Sequence, residues 1–175
     1  MQLGAVACAV WLGTATAVIV PLPRFSWETL PVFLHTQNTS CGDWNPAAAA
    51  RAAQYPLSYS GMTGMRQPDG SRISQEIAAP AMCRRIMALD STTHTFMEIN
   101  SVIDWPWNYK LHAGMVANPS WRLKRDNGSD WLAVGQWVYN LSNPATRKAW
   151  IATCVAGTED GCTGCVSSQA IPLCL

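Results

Sequence analysis

The stretch from Thr95 to Trp150 constrains the fold most. It opens as a strand, TFMEINS, and passes into a loop rich in reactive and aromatic side chains, VIDWPWNYKLH. It closes with VYNLSNPATRKAWIATC, an extended piece followed by a helix. Asn143-Pro144 is a helix start, because Asn accepts from orphan N–H groups and Pro is tolerated at the first helical position. The same pair at Asn45-Pro46 opens the helix AAAARAAQ after the short apolar run PVFLHT, a buried strand. Tyr55–Ser60 is a weaker strand. Gly61–Gly70 is loop, with a Pro68-Asp69-Gly70 turn. Ser74–Leu89 is a helix that kinks or begins at Pro80. Its apolar positions Met82, Ile86 and Leu89, with Ile77 and Ala81, are expected to pack on a sheet. Asn118-Pro119 predicts a helical turn, Trp137–Leu141 an extended piece and Cys162–Ser167 a further strand.

Strands alternating with helices predict an α/β fold with a parallel sheet. Polar residues just past a strand's C-terminal end are where β/α barrels place their sites. Such a barrel needs about 250 residues and eight units. This chain has 175 residues and roughly three to four such units. The expectation is therefore a partial, half-length TIM-type β/α barrel occupying residues 21–175.

Charge removes two classes of partner. The net charge is +1 and charged residues make up 13% of the chain, so nothing draws it to nucleic acid or an anionic membrane. The N-terminus does raise the membrane. An uncharged apolar run from Leu3 to Val20, with Ala15-Thr16-Ala17 as a cleavage pattern, predicts a signal peptide over residues 1–20. An uncleaved membrane anchor and a buried N-terminal segment are the alternatives. Sequons at Asn38, Asn127 and Asn140 fit a secreted or extracellular protein. So does the even set of cysteines left once Cys8 is removed: Cys41, Cys83, Cys154, Cys162, Cys165 and Cys174. Their pairing is open, and disulfides, unpaired thiols or a zinc site at the last four are the alternatives.

PVFLHTQNTS, MEINSVIDWPWNYKLH, NPSWRL and VYNLSNPATRKAWIATC together resemble a group of secreted glycoside-hydrolase-like α/β barrel proteins of algae and other protists, a group without an assigned activity. The resemblance implies a (β/α)₈ barrel and hydrolysis of glycosidic bonds. It also implies acidic positions that this chain has replaced. Asn140 stands where such proteins carry Asp in V-Y-D-L-S-N-P. Ser168 stands, in one alignment, where their D-G-x-F-x-D ends, and SGMTG follows Tyr59 where a charged residue is expected.

Glycoside hydrolysis needs two carboxyl groups about 5 to 10 Å apart. Asp104, just past the TFMEINS strand, is the first candidate, with Glu98 and Asp160 as partners. Phe96, Glu98 and Asn100 share one strand face, so Asn100 lies nearer the mouth. His35 and Gln37 are expected at the mouth of the first strand. Trp105 and Trp107 form a sugar-stacking platform, with Lys110 and His112 as polar contacts. Trp121, Trp137 and Trp150 are read as core. No nucleotide, zincin or α/β-hydrolase motif occurs, and no metal or cofactor is expected. The first functional reading is carbohydrate hydrolysis or binding. The alternative is a non-catalytic carbohydrate binder or truncated barrel, able to self-associate through open sheet edges.

Overall fold

A computed structural model describes residues 33–37, 46–61, 65–66, 72–105 and 110–168. The N-terminal segment 1–20, Cys41, Cys174, Asn38 and Trp107 lie outside the described residues.

The sheet has four parallel strands: β1 (Phe33–Gln37), β2 (Leu57–Gly61), β5 (His94–Asn100) and β8 (Gly164–Ser168), in that spatial order. Helix α1 (Pro46–Ala52) joins β1 to β2, and α2 (Gln75–Leu89) leads into β5. Between β5 and β8 lie α3 (Leu111–Ala117), a 3₁₀ turn at Pro119–Trp121, the hairpin strands β6 (Leu132–Ala133) and β7 (Gln136–Trp137), and α4 (Pro144–Glu159). The expected alternation of strands and helices is thus an α/β fold with a parallel sheet.

Three features depart from the sequence reading. Gly61–Gly70 is not all loop, because Met65–Arg66 (β3) pairs antiparallel with Arg72–Ile73 (β4). Of the two alternatives for Pro80, a start there is overturned: α2 runs from Gln75 to Leu89 with Pro80 inside it. Ile77 and Leu89 do not join the packed face. Both are exposed, while Ala78, Ala79, Met82, Cys83 and Ile86 are buried.

One face of the sheet carries the helices. Leu34 packs with Ala49, Ala52, Ala78, Met82 and Ile86 under α1 and α2. Met97, Ile99 and Cys165 join Ala79, Cys83, Leu111 and Cys162 under α2 and α4. Met97 and Ile99 are fully buried, each contributing about 1.5–3 kcal/mol of transfer free energy. Because side chains alternate along a strand, Phe96, Glu98 and Asn100 turn to the opposite face. Asn143 starts α4 by accepting a hydrogen bond from the Ala145 N–H at 2.9 Å, with Pro144 at the first position. A Cβ on Gly157 would sit 2.3 Å from the Met97 methyl, so glycine lets α4 lie close on β5.

Two disulfides staple these layers. Cys83 of α2 bonds to Cys162, just ahead of β8, and Cys154 of α4 bonds to Cys165 of β8. Three of the four cysteines weighed as zinc ligands are therefore in disulfides. The bridges close loops of very different size, with sequence separations of 79 and 11 residues. Loop-closure entropy grows with length, to about 4.5 kcal/mol for the longer loop and about 3 kcal/mol for the shorter. Cys83→Ala with Cys162→Ala should lower the unfolding midpoint in urea more than Cys154→Ala with Cys165→Ala. Equal or reversed shifts would contradict this account.

The β6–β7 hairpin pairs Ala133 with Gln136, so Val134 and Gly135 form its two-residue turn. Both have positive φ, 46° and 80°, as a type I′ turn requires. A β-branched residue is strained there, by about 1–2 kcal/mol. Val134→Asn should relieve much of this and raise the thermal midpoint, as measured by circular dichroism.

Candidate functional site

The site is built on the segment following β5. Asn100 Oδ1 accepts from the Val102 and Ile103 N–H groups at 2.8 and 2.7 Å and turns the chain out of the sheet. The next residues run antiparallel to the approach to α4. Tyr139 N–H donates to Val102 O at 2.9 Å, Ile103 bridges Val138, and Asp104 N–H donates to Trp137 O at 2.8 Å. This seam delivers Asp104 to a position where it is 1% exposed.

Both Asp104 oxygens are used. Oδ2 lies 2.6 Å from His112 Nδ1, and Oδ1 accepts from the Tyr139 hydroxyl at 3.3 Å. His112 comes from α3, and its side chain keeps 27% exposure. With the carboxylate accepting, Nδ1 is the ring nitrogen that carries a proton in this pair. The imidazole stacks on Trp137, with ring centroids 5.4 Å apart and an interplanar angle of 17°. Arg122 lies over the same indole, its Cζ 3.6 Å from the centroid. Its Nε donates to Met115 O at 2.9 Å and one terminal nitrogen to Val116 O at 3.2 Å, which closes the C-terminal end of α3.

Burial pushes the Asp104 carboxyl above the ordinary aspartate range. The hydrogen bond and charge of His112, the Tyr139 hydroxyl and the Arg122 charge oppose that shift without reversing it. Burial also raises Glu76, in the first turn of α2, although the Lys110 and Leu111 N–H groups favour its charged form. Glu76 and Lys110 line a cavity of about 250 Å³ with Ala152, Thr153, Ala156 and Asp160. Among the described residues no cluster of His, Cys, Asp and Glu is arranged to hold a metal ion.

The sequence candidates are placed as follows. Asp104 and His112 meet. Asn100 is buried, and its side-chain oxygen is committed to the turn. Glu98 is buried on β5, with Gln75 Nε2 donating to its backbone carbonyl at 2.5 Å. Trp105 is half-buried and packs against the core cluster. Lys110 is exposed, ahead of α3. His35 and Gln37 lie on β1, in register with Tyr59 and Gly61 and two strands from β5. Asp160 caps the far end of α4. Thr163, three residues on, donates its N–H to Thr95 O near the start of β5, so Asp160 lies at the opposite end of the strand from Asp104. Sequence reasoning missed Tyr139, Arg122 and Glu76, and it took Trp137 for core. Tyr139 and Trp137 had a signal: they alternate along an extended piece, as cross-strand partners do.

No family model matches the chain, and no curated protein is similar to it. Among solved structures, a xylosidase from Aspergillus niger aligns with a TM-score of 0.44 at 16% identity, over 73% of this chain and 19% of that one. The chain thus spans about a fifth of that structure's length.

The raised carboxyls predict a pH dependence. The unfolded chain releases these protons at lower pH than the folded protein does. The folded state therefore binds more protons between the ordinary carboxylate range and the raised values, and stability falls as pH rises through that window. Glu76→Gln keeps an acceptor for the Lys110 N–H but has no charge to bury. It should gain stability relative to the wild type as pH rises from about 4 to 8, in thermal melts across that range. Parallel curves for the two proteins would contradict the assignment.

Proposed function

We propose that this chain is a secreted carbohydrate-binding protein whose parallel sheet is a segment of a TIM-type β/α barrel. Sugar binds beside the exposed part of His112, past the end of β5. One observation carries the reading: a buried carboxylate, held through both oxygens, fixes a partly exposed imidazole on an aromatic ring. A few oriented polar groups beside aromatic walls are what a small polar ligand needs. Sequential parallel strands with helices on one face support the barrel segment. The two disulfides suit an oxidising compartment. In this reading residues 1–20 are the signal segment, and no described helix is long and apolar enough to cross a membrane. Among the described residues β1 and β8 are the outer strands, and their edges are where a second copy would pair.

Hydrolysis by two carboxylates is the weaker reading. Asp104 is buried and engaged through both oxygens, Glu98 is buried on the sheet face opposite the helices, and Asp160 lies at the other end of the strand. The Asp104–His112 pair favours a different chemistry, with His112 as an oriented general base and Asp104 holding its tautomer.

Calorimetric titration with soluble pentose and hexose oligosaccharides, run beside an assay for reducing-end release, tests both. Binding without release is expected, weakened at least tenfold in His112→Ala with the fold retained. A folded wild type that binds none of the sugars would overturn the proposal. Release that is lost in His112→Ala would establish the general-base chemistry instead.

A further inference from the structure

We propose that Asn127 is an N-glycosylation acceptor in the folded protein and that the Asn140 sequon is not. The two sites share the excursion between β5 and α4 but differ in exposure and in what engages the side-chain amide.

Asn127 is exposed at the tip of a tight turn. Gly128 N–H donates to Arg125 O and Arg125 N–H to Ser129 O, both at 2.9 Å, and Lys124 bridges Asp130 below. Only the amide oxygen of Asn127 is engaged. Oδ1 accepts from the Ser129 N–H at 3.1 Å and the Ser129 hydroxyl at 2.7 Å. The turn is open: a side chain built on Gly128 would meet nothing within 4 Å.

Asn140 is enclosed. It is half-buried, its Nδ2 donates to Ser120 O at 3.4 Å, and its N–H donates to Trp121 O at 2.7 Å. The rest of its sequon is tied down as well, because Arg147 donates to Leu141 O and Ser142 O at 2.7 and 3.0 Å. A glycan there would displace the hydrogen bond from Asn140 Nδ2 to Ser120 O. At Asn127 it would project into solvent and disturb no contact.

The donor is a lipid-diphosphate-linked oligosaccharide. Its anomeric carbon bonds to Asn127 Nδ2, and the carbon–oxygen bond to the diphosphate breaks with the electron pair leaving on oxygen. The amide nitrogen gives up one proton. The Ser129 hydroxyl completes the acceptor motif.

The test expresses the full chain behind a cleavable signal sequence in a eukaryotic host and isolates the disulfide-bonded protein. Glycan is removed with an amidase in H₂¹⁸O, which marks each vacated asparagine as ¹⁸O-aspartate and separates it from spontaneous deamidation of Asn127-Gly128. Peptide fragmentation then locates the label. The expected result is label at Asn127, loss of it in Ser129→Ala, and none at Asn140. An unlabelled Asn127, or label at Asn140 in folded protein, would overturn the proposal, whether that protein is secreted or retained.

Discussion

The site depends on one short antiparallel seam between residues 102–104 and 137–139. Its hydrogen bonds are ordinary backbone pairs, yet they close the excursion between β5 and α4 and bring together residues 35 positions apart. Trp137 acts twice here. Its carbonyl accepts from the Asp104 N–H, and its ring stacks on His112. One residue therefore fixes both members of the Asp104–His112 pair. Asn100 starts the seam by turning the chain as it leaves the sheet, and Trp150 Nε1 holds the Asn100 carbonyl at 3.1 Å from α4. Sheet, helix layer and site are thus linked through the end of a single strand.

The sheet was legible because its signals are local. The Asn-Pro pairs mark α1 and α4, and alternation in TFMEINS separates the buried helix-facing residues Met97 and Ile99 from Glu98 and Asn100. Helix α3 was not legible. Seven residues containing Gly114 carry little intrinsic helical preference, and such a segment is helical through its tertiary contacts. Leu111 and Met115 are buried, and Arg122 closes its C-terminal end. The exposure of Ile77 and Leu89 has the related cause that helical periodicity does not say how wide the buried stripe is.

The site was half legible for the same reason. Asp104 and His112 stood out as reactive residues in one loop, but their meeting depends on a helix the pattern did not announce. Tyr139, Trp137 and Arg122 reach the pair only through the seam, which sequence spacing does not encode. Glu76 resembled any acidic residue in a first helical turn, where the macrodipole favours negative charge. Its burial follows from the placement of Lys110 and Leu111 above α2. Disulfide pairing was open for a simple reason: six cysteines allow fifteen arrangements.

The electrostatics of the pair argue for its role. Enclosing a carboxylate is costly unless its lone pairs are satisfied. Asp104 meets that condition with an imidazole on one oxygen, a phenol on the other and a guanidinium charge nearby, and burial still leaves its proton harder to remove than usual. A carboxyl in that state is poorly placed to attack a sugar, because its oxygens are occupied and its surface is covered. It is well placed to hold an imidazole in one tautomer and one orientation. In the carbohydrate-binding reading proposed above, contact with the ligand falls to His112, the member of the pair with exposed surface, and Asp104, Tyr139 and Trp137 are the positioning residues behind it.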